Sequence, residues 1–332
     1  MPEPEGAQVF MFTFPREEDL EALVDIVRPL RIQQVIANFP HLRHVLQEAA
    51  VYGNKASYYD GPGAIPDDKI DEISSKLWMG KCRWLYYGCV YGDEAFRNAQ
   101  LNNIKKAFFK IPGAKFFLPE DSPEYSYLRS RVNIYCGRPD LRELEYAPLP
   151  LISLPFLYEL TLTCRWVNWM PNGAHLFFAP ISPVTGKDAR AQFKLCKKRC
   201  DQYGLDFLST YVVGMREMHH IASIIYDRGD PDCKRRAHAL LRDLVSDAAK
   251  VGYGEYRTHL ITQDQVMNTY NWNGGALLKF NESIKDALDP NGIMAPGRCG
   301  IWPREYRGKG WEMKSVDDYS TGEDGVKSKS SL

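Results

Sequence analysis

Two absences set the frame. No apolar run approaches the ~20 residues that a bilayer-spanning helix needs, and neither sign of charge is in excess: 42 Lys and Arg answer 42 Asp and Glu in 332 residues. The first argues against a membrane partner, the second against a bulk electrostatic pull toward nucleic acid. The start of the sequence shows no charged-then-apolar leader pattern, so the expected location is cytoplasmic or peroxisomal, not secreted. The chain closes on Ser330-Ser331-Leu332, which lacks the central basic residue of the S-K-L peroxisomal address. Eight cysteines are scattered without the paired spacing of a zinc site; free thiols in a reducing compartment, and no metal, are expected. Both glycine-rich phosphate signatures, G-x-G-x-x-G and G-x-x-x-x-G-K-[ST], are also missing.

What is present describes an ordinary globular chain, 44% hydrophobic and 25% charged. Its length suits two domains, or one large domain with an attached lobe. Alternation from Ala7 to Phe14 predicts a strand, and Pro15 with the acidic residues after it opens a helix. A second helix is expected from about Pro40 to Ala50, carrying His41 and His44 three apart as an exposed pair. A strand over Cys82–Tyr91, a helix over Phe96–Phe109 and a strand over Ala114–Leu118 read as a β-α-β run. After Glu120-Asp121-Ser122-Pro123 comes a helical segment, then a long irregular excursion to Leu157. The second half gives a strand over Ala174–Pro180, a helix over Lys187–Tyr203, strands over Leu205–Val213 and Glu217–Tyr226, and a helix over Asp230–Lys250. That order favours an α+β fold: a large antiparallel sheet flanked by helices, those of the second half on one face. The polar tail from Glu312 has no apolar period and is expected to be disordered.

The densest chemistry lies in Gly252-Tyr253-Gly254-Glu255-Tyr256-Arg257-Thr258-His259. Arg257 is a fixed cation with a donor fork and Tyr256 a neutral donor beside it, a pair suited to a phenolate or carboxylate oxygen. The plainer alternative is a Glu255–Arg257 ion pair with Tyr256 in a core. His175, between Ala174 and Leu176 on an apolar strand, reads on pattern alone as a satisfied core histidine. His219 and His220 are neighbours on a strand, so they point to opposite faces and cannot share a metal. Cys196 and Cys200, four apart on a helix, share a face.

Several stretches recur together in order and spacing. They are Pro171–Phe178, Val213–His220, Gly252–His259, Met267–Asn273, Leu278–Glu282 and Asp289–Pro303. The set resembles the vanillyl-alcohol oxidase family of 4-phenol-oxidising flavoproteins, from about Met1 to Pro303. The resemblance implies the C-terminal cap portion of such an enzyme, with the N-terminal FAD-binding domain absent. It also implies three parts: a substrate-covering cap with ferredoxin-like elements (1–255), a C-terminal segment whose helices return to the FAD domain (256–311), and the tail (312–332). By the same resemblance His175 carries FAD through a covalent histidyl bond, and Tyr256 and Arg257 are catalytic, binding the phenolate. Arg257 and Arg298 contact the cofactor, while Phe177, Thr210, Ile221 and Glu255 line the substrate pocket. The implied reaction is hydride transfer from 4-hydroxybenzylic alcohols, 4-alkylphenols or allylphenols through a quinone methide. Dioxygen would be the acceptor, giving hydrogen peroxide. Relatives that pass electrons to a cytochrome instead carry a tyrosyl flavin link, so His175 leans toward the oxidase side. A homodimer or larger homo-oligomer is implied. The competing expectation is a flavin-free adaptor that keeps the cap fold without the chemistry.

Overall fold

The computed structural model describes residues 6–138 and 165–313. The Phe-rich alternation near the start forms β1 (Gln8–Phe14) in a sheet with β2 (His41–His44), β3 (Trp84–Val90), β4 (Lys115–Phe117), β5 (Gly173–Phe178), β6 (Pro180–Ser182), β7 (Leu208–Val213), β8 (Met218–Asp227) and β9 (Gly254–Glu255). The order is β4-β1-β3-β2-β7-β8-β6-β9, with β5 also paired to β8. Every pairing is antiparallel. Between the strands run α1 (Asp19–Ile32), α2 (Val45–Tyr52), α3 (Asp67–Lys76), α4 (Glu94–Phe108), α5 (Ser126–Tyr135), α6 (Gly186–Tyr203) and α7 (Pro231–Lys250), followed by α8 (Gln263–Thr269) and α9 (Trp272–Leu288). The α+β architecture with a large antiparallel sheet is therefore present.

The sheet has a core on each side because its central strands carry apolar residues on both faces. All seven residues of β3 are buried. Trp84 and Tyr86 join Phe10, Phe12 and Phe14 in one core, closed by residues of α1, α4, α6 and α7. Leu85, Tyr87 and Cys89 join Val9 and Met11 in the other, closed by residues of α2 and α3 such as Leu46, Ala49, Ile70 and Ile73. In the second half α6 and α7 share the first face, as their sequence order leads one to expect. The second layer of helices covers β1, β3 and β2. Further along the same face, Thr210 and Val212 of β7 and His219 and Ile221 of β8 are half-buried.

Local chemistry sets the ends of the long helices. Asp230 caps α7 by accepting from the Asp232 N–H at 2.9 Å, and Thr185 caps α6 through the Asp188 N–H at 3.1 Å. Gly204 ends α6 at φ 65°, a conformation that suits a residue without a side chain.

One helix expected from the sequence is corrected. His41–His44 is a strand, and the helix begins only at Val45. Leu42 pairs with Tyr86 on one side and Tyr211 on the other, so sheet pairing overrides helical periodicity there. His44 is wholly buried and its Nδ1 accepts from the Leu46 N–H at 3.4 Å, capping α2. His41 is exposed, so the two imidazoles do not form a helical pair.

Among the described residues the cysteines are free, six buried and Cys299 exposed. No described group of three His, Cys, Asp or Glu is placed to hold a metal, and no described helix is long and apolar enough to cross a membrane. The irregular excursion expected before Leu157 and the disordered tail fall largely outside the described residues.

Candidate active site

Strand register gathers the sequence-predicted residues. On β8, His219, Ile221, Ser223 and Ile225 alternate to one face. Thr210 of β7 stands opposite Ile221, while Phe177 and His175 of β5 stand opposite Ser223 and Ile225. His175, Phe177, Thr210 and Ile221 therefore project from one side of the sheet. Leu176 and Phe178, between and beyond them on β5, point the other way into the core.

Tyr256 and Arg257 arrive on this face where the chain leaves β9. The Arg257 guanidinium lies 4.5 Å over the Phe177 ring, and the Tyr256 ring lies 4.3 Å from that of His219. The His175 imidazole meets the same Phe177 edge-on at 4.7 Å, with Trp166 5.2 Å away. Phe177 is thus the shared plate between the cationic side and the imidazole side. Among the described residues no carboxylate pairs with Arg257, and Tyr256 is 41% exposed. The plainer expectation, a Glu255–Arg257 ion pair over a core tyrosine, is not what forms.

Electrostatics favour a neutral imidazole here. Though exposed, His175 is partly desolvated by its neighbours, and this, then the nearby His259 and Arg257, holds it below the usual histidine range. No hydrogen bond from a described residue occupies its ring nitrogens. Glu255 differs from its two successors: it is 7% exposed. Its Oε1 accepts from the Ala179 N–H at 3.2 Å. Burial pushes its carboxyl up to about 7, against the Ala179 N–H and Arg257, which pull it down.

Arg298 is not brought to this group. It sits exposed in a short turn (Arg298–Gly300) beside α8, where Cys299 N–H donates to Gln263 at 2.6 Å. Two other depressions are distinct from the site. One of about 280 Å³ is lined by Lys55, Tyr59, Asp206 and Arg236; the other, about 580 Å³, by Arg242, Asp264, Trp302 and Arg307. Among the described residues the His175–Arg257 group lies on an open face, with His175, Tyr256 and Arg257 all exposed. Sequence reasoning missed Trp166, which reaches the site from a 3-10 turn (Arg165–Trp169) with no local signal. Strand alternation put His219 and His220 on opposite faces without saying which meets the site; His219 does, beside Tyr256. His220 is core, bonded to Ser209 Oγ at 2.8 Å and stacked on Tyr211.

Comparison with known proteins gives the class first. Residues 172–299, which hold every one of these site residues except Trp166, match the family of FAD linked oxidases, C-terminal domain. Individual relatives are narrower. The chain is 30% identical over 302 residues, 91% of its length and 53% of the relative's, to the 4-cresol dehydrogenase [hydroxylating] flavoprotein subunit of Pseudomonas putida. Among solved structures it superimposes on a 4-ethylphenol oxidase from Gulosibacter chungangensis in complex with isoeugenol, with TM-score 0.81 and 32% identity, over 92% of this chain and 56% of that one. It also superimposes on p-cresol methylhydroxylase with substrate bound, TM-score 0.77 and 29% identity, over 91% and 54%. The chain spans about half the length of the relatives it matches. One expectation is corrected by these alignments. They run over 91% of the chain, far beyond the family-model stretch, so its description as a cap portion alone, lacking a flavin domain, is withdrawn.

Proposed function

We propose that this chain serves the FAD-dependent oxidation of para-substituted phenols, with Tyr256 and Arg257 holding the ring oxygen as phenolate and His175 carrying the flavin covalently. The observation that carries the reading is the shared Phe177 plate: a guanidinium with no carboxylate partner among the described residues on one side, a neutral-leaning imidazole on the other. The residues fit FAD in one respect that the fold makes specific. A histidyl bond needs a neutral ring nitrogen free to attack, and His175 is exposed, held below its usual range and without a described hydrogen-bond partner.

Bound FAD supplies the acceptor that takes hydride from the benzylic carbon and yields its electrons to dioxygen, giving hydrogen peroxide. The chain's own part is to prepare the substrate. A free phenol has a pKa near ~10, and a cation with a neighbouring donor lowers it by roughly 1–3 units. The phenolate so held pushes electron density through the ring to the para carbon, which makes hydride departure easier and leaves a quinone methide. Phe177, Thr210 and Ile221 present apolar surface to the ring and its para substituent; Glu255, opposite Pro180, alternates to the other face of the sheet and would bear on the pocket only from behind it. A role for Arg298 at the cofactor belongs to this proposal too, through a surface apart from the Phe177 plate. Residues 1–255 would form the substrate-covering unit and 256–311 the segment that follows it. A homo-oligomer is the proposed assembly.

Acid precipitation after expression with FAD tests the reading. Flavin fluorescence is expected to stay with the protein, and to leave it in His175→Ala. A colourless full chain that also fails to take up FAD would instead favour the adaptor.

A further inference from the structure

The junction of β9 with its neighbour contains a carboxyl that the proposed chemistry does not use. Ala179 separates β5 from β6, yet the register along β8 continues across it, with Phe178 opposite Ala222 and Ile181 opposite His219. Its peptide groups are therefore left for β9 on the other side. The Ala179 carbonyl accepts from the Tyr256 N–H at 3.2 Å, an ordinary rung. The Ala179 N–H finds no strand carbonyl, because the main chain at Tyr256 is already turning away. Oε1 of Glu255 stands in for it at 3.2 Å. A side chain thus completes the ladder at the point where the segment bearing Tyr256 and Arg257 departs.

The rest of that carboxyl is costly to keep. Oε2 is buried with no partner among the described residues, and an unsatisfied buried acceptor opposes folding unless something else requires it. Tyr270, at the end of α8, donates to the main-chain carbonyl of Glu255 at 3.5 Å, not to this oxygen.

We propose that Glu255 is a positioning residue: by fastening Ala179 it fixes the exit of Tyr256 and Arg257 from the sheet, and so holds the guanidinium on Phe177 beside His175. The inference rests on reading Tyr256 and Arg257 as the phenolate clamp. Glu255 touches no substrate in this role; it acts through the ladder.

Two substitutions in the full chain separate positioning from bulk stability. Glu255→Met keeps the length and suits burial but removes the acceptor, whereas Glu255→Gln keeps an acceptor oxygen. Amide hydrogen exchange at Ala179 and Tyr256 is read alongside isoeugenol binding by calorimetry. In Glu255→Met, exchange at both amides should rise, with Tyr211 in β7 unchanged, and isoeugenol affinity should drop by about tenfold, the scale of one buried hydrogen bond. Glu255→Gln should restore both. Unchanged exchange in Glu255→Met, loosened amides with unaltered affinity, or no restoration by Gln would each overturn the proposal. Failure of the unsubstituted chain to bind isoeugenol would overturn the phenol reading and the clamp with it. The exchange arm would then still decide whether Glu255 closes the ladder.

Discussion

Glu255 and Arg257 are two residues apart and meet opposite fates: one carboxyl buried at 7% exposure, one guanidinium left on the open face. That separation has a thermodynamic signature. Folding raises the Glu255 carboxyl from its ordinary 4.5 to about 7. A raised acid contributes stability that is full below the unfolded value and is lost as pH climbs through the folded one. Glu255→Gln, which cannot ionise, should therefore match the parent near pH 4 and exceed it at pH 8 by about 1–2 kcal/mol. Denaturant unfolding at both pH values checks this, and equal differences at the two would refute it. Arg257 stood out at this scale through the dense chemistry of Gly252–His259, whereas His175 read on pattern alone as a core histidine and was singled out only by the family resemblance. Trp166 and the buried state of Glu255 were not visible, since both depend on partners far along the chain: Trp166 lies 11 positions from Phe177 on an irregular turn, and Glu255 lies 76 from Ala179.

Elements show the same division between local and distant causes. The ends of α6 and α7 follow from Thr185, Gly204 and the Asp230-Pro231 pair, all readable in order. The stretch His41–His44 fails because its fate is settled by Tyr86 and Tyr211 on either side. Within β3, Gly88 is another distant dependence. It stands opposite Phe10 of β1, and a Cβ there would come within 2.3 Å of the Phe10 ring. The ring is itself fixed between Tyr86 and Phe116 at 5.7 and 6.0 Å, so it has little room to yield. Gly88→Ala is expected to destabilise the chain by roughly 1–3 kcal/mol through overpacking. A fall in the urea midpoint at unchanged slope would report it; an unaltered midpoint would mean that the aromatic cluster can repack.

At the scale of the sheet, one side is packed by α1, α4, α6 and α7 and the other, among the described residues, is left partly open beyond α2 and α3, where the proposed chemistry would sit. The covered side imposes its own pH limit through buried imidazoles. His220 is wholly enclosed, and burial drives it down to about 3; His238 is brought to about 4 by burial and then by Lys234. Burial, then Arg83, likewise holds His44 well below 6.5. A base depressed by folding gives stability that is complete above its unfolded value and disappears as pH falls toward the folded one. These three imidazoles should thus make the chain lose stability between pH 6.5 and about 4, in the direction opposite to the Glu255 contribution. His220 is the clearest reporter, since it is wholly buried, bonded to Ser209 and stacked flat on Tyr211 at 4.2 Å. His220→Asn will cost stability at pH 8 by breaking that arrangement. Between pH 6.5 and 4.5, however, the variant should lose about 2 kcal/mol less than the parent, because nothing at that position remains to be protonated. Thermal unfolding of both proteins across this interval decides the matter. Parallel curves would show that His220 is not held neutral by the core, and that acid acts on the fold elsewhere.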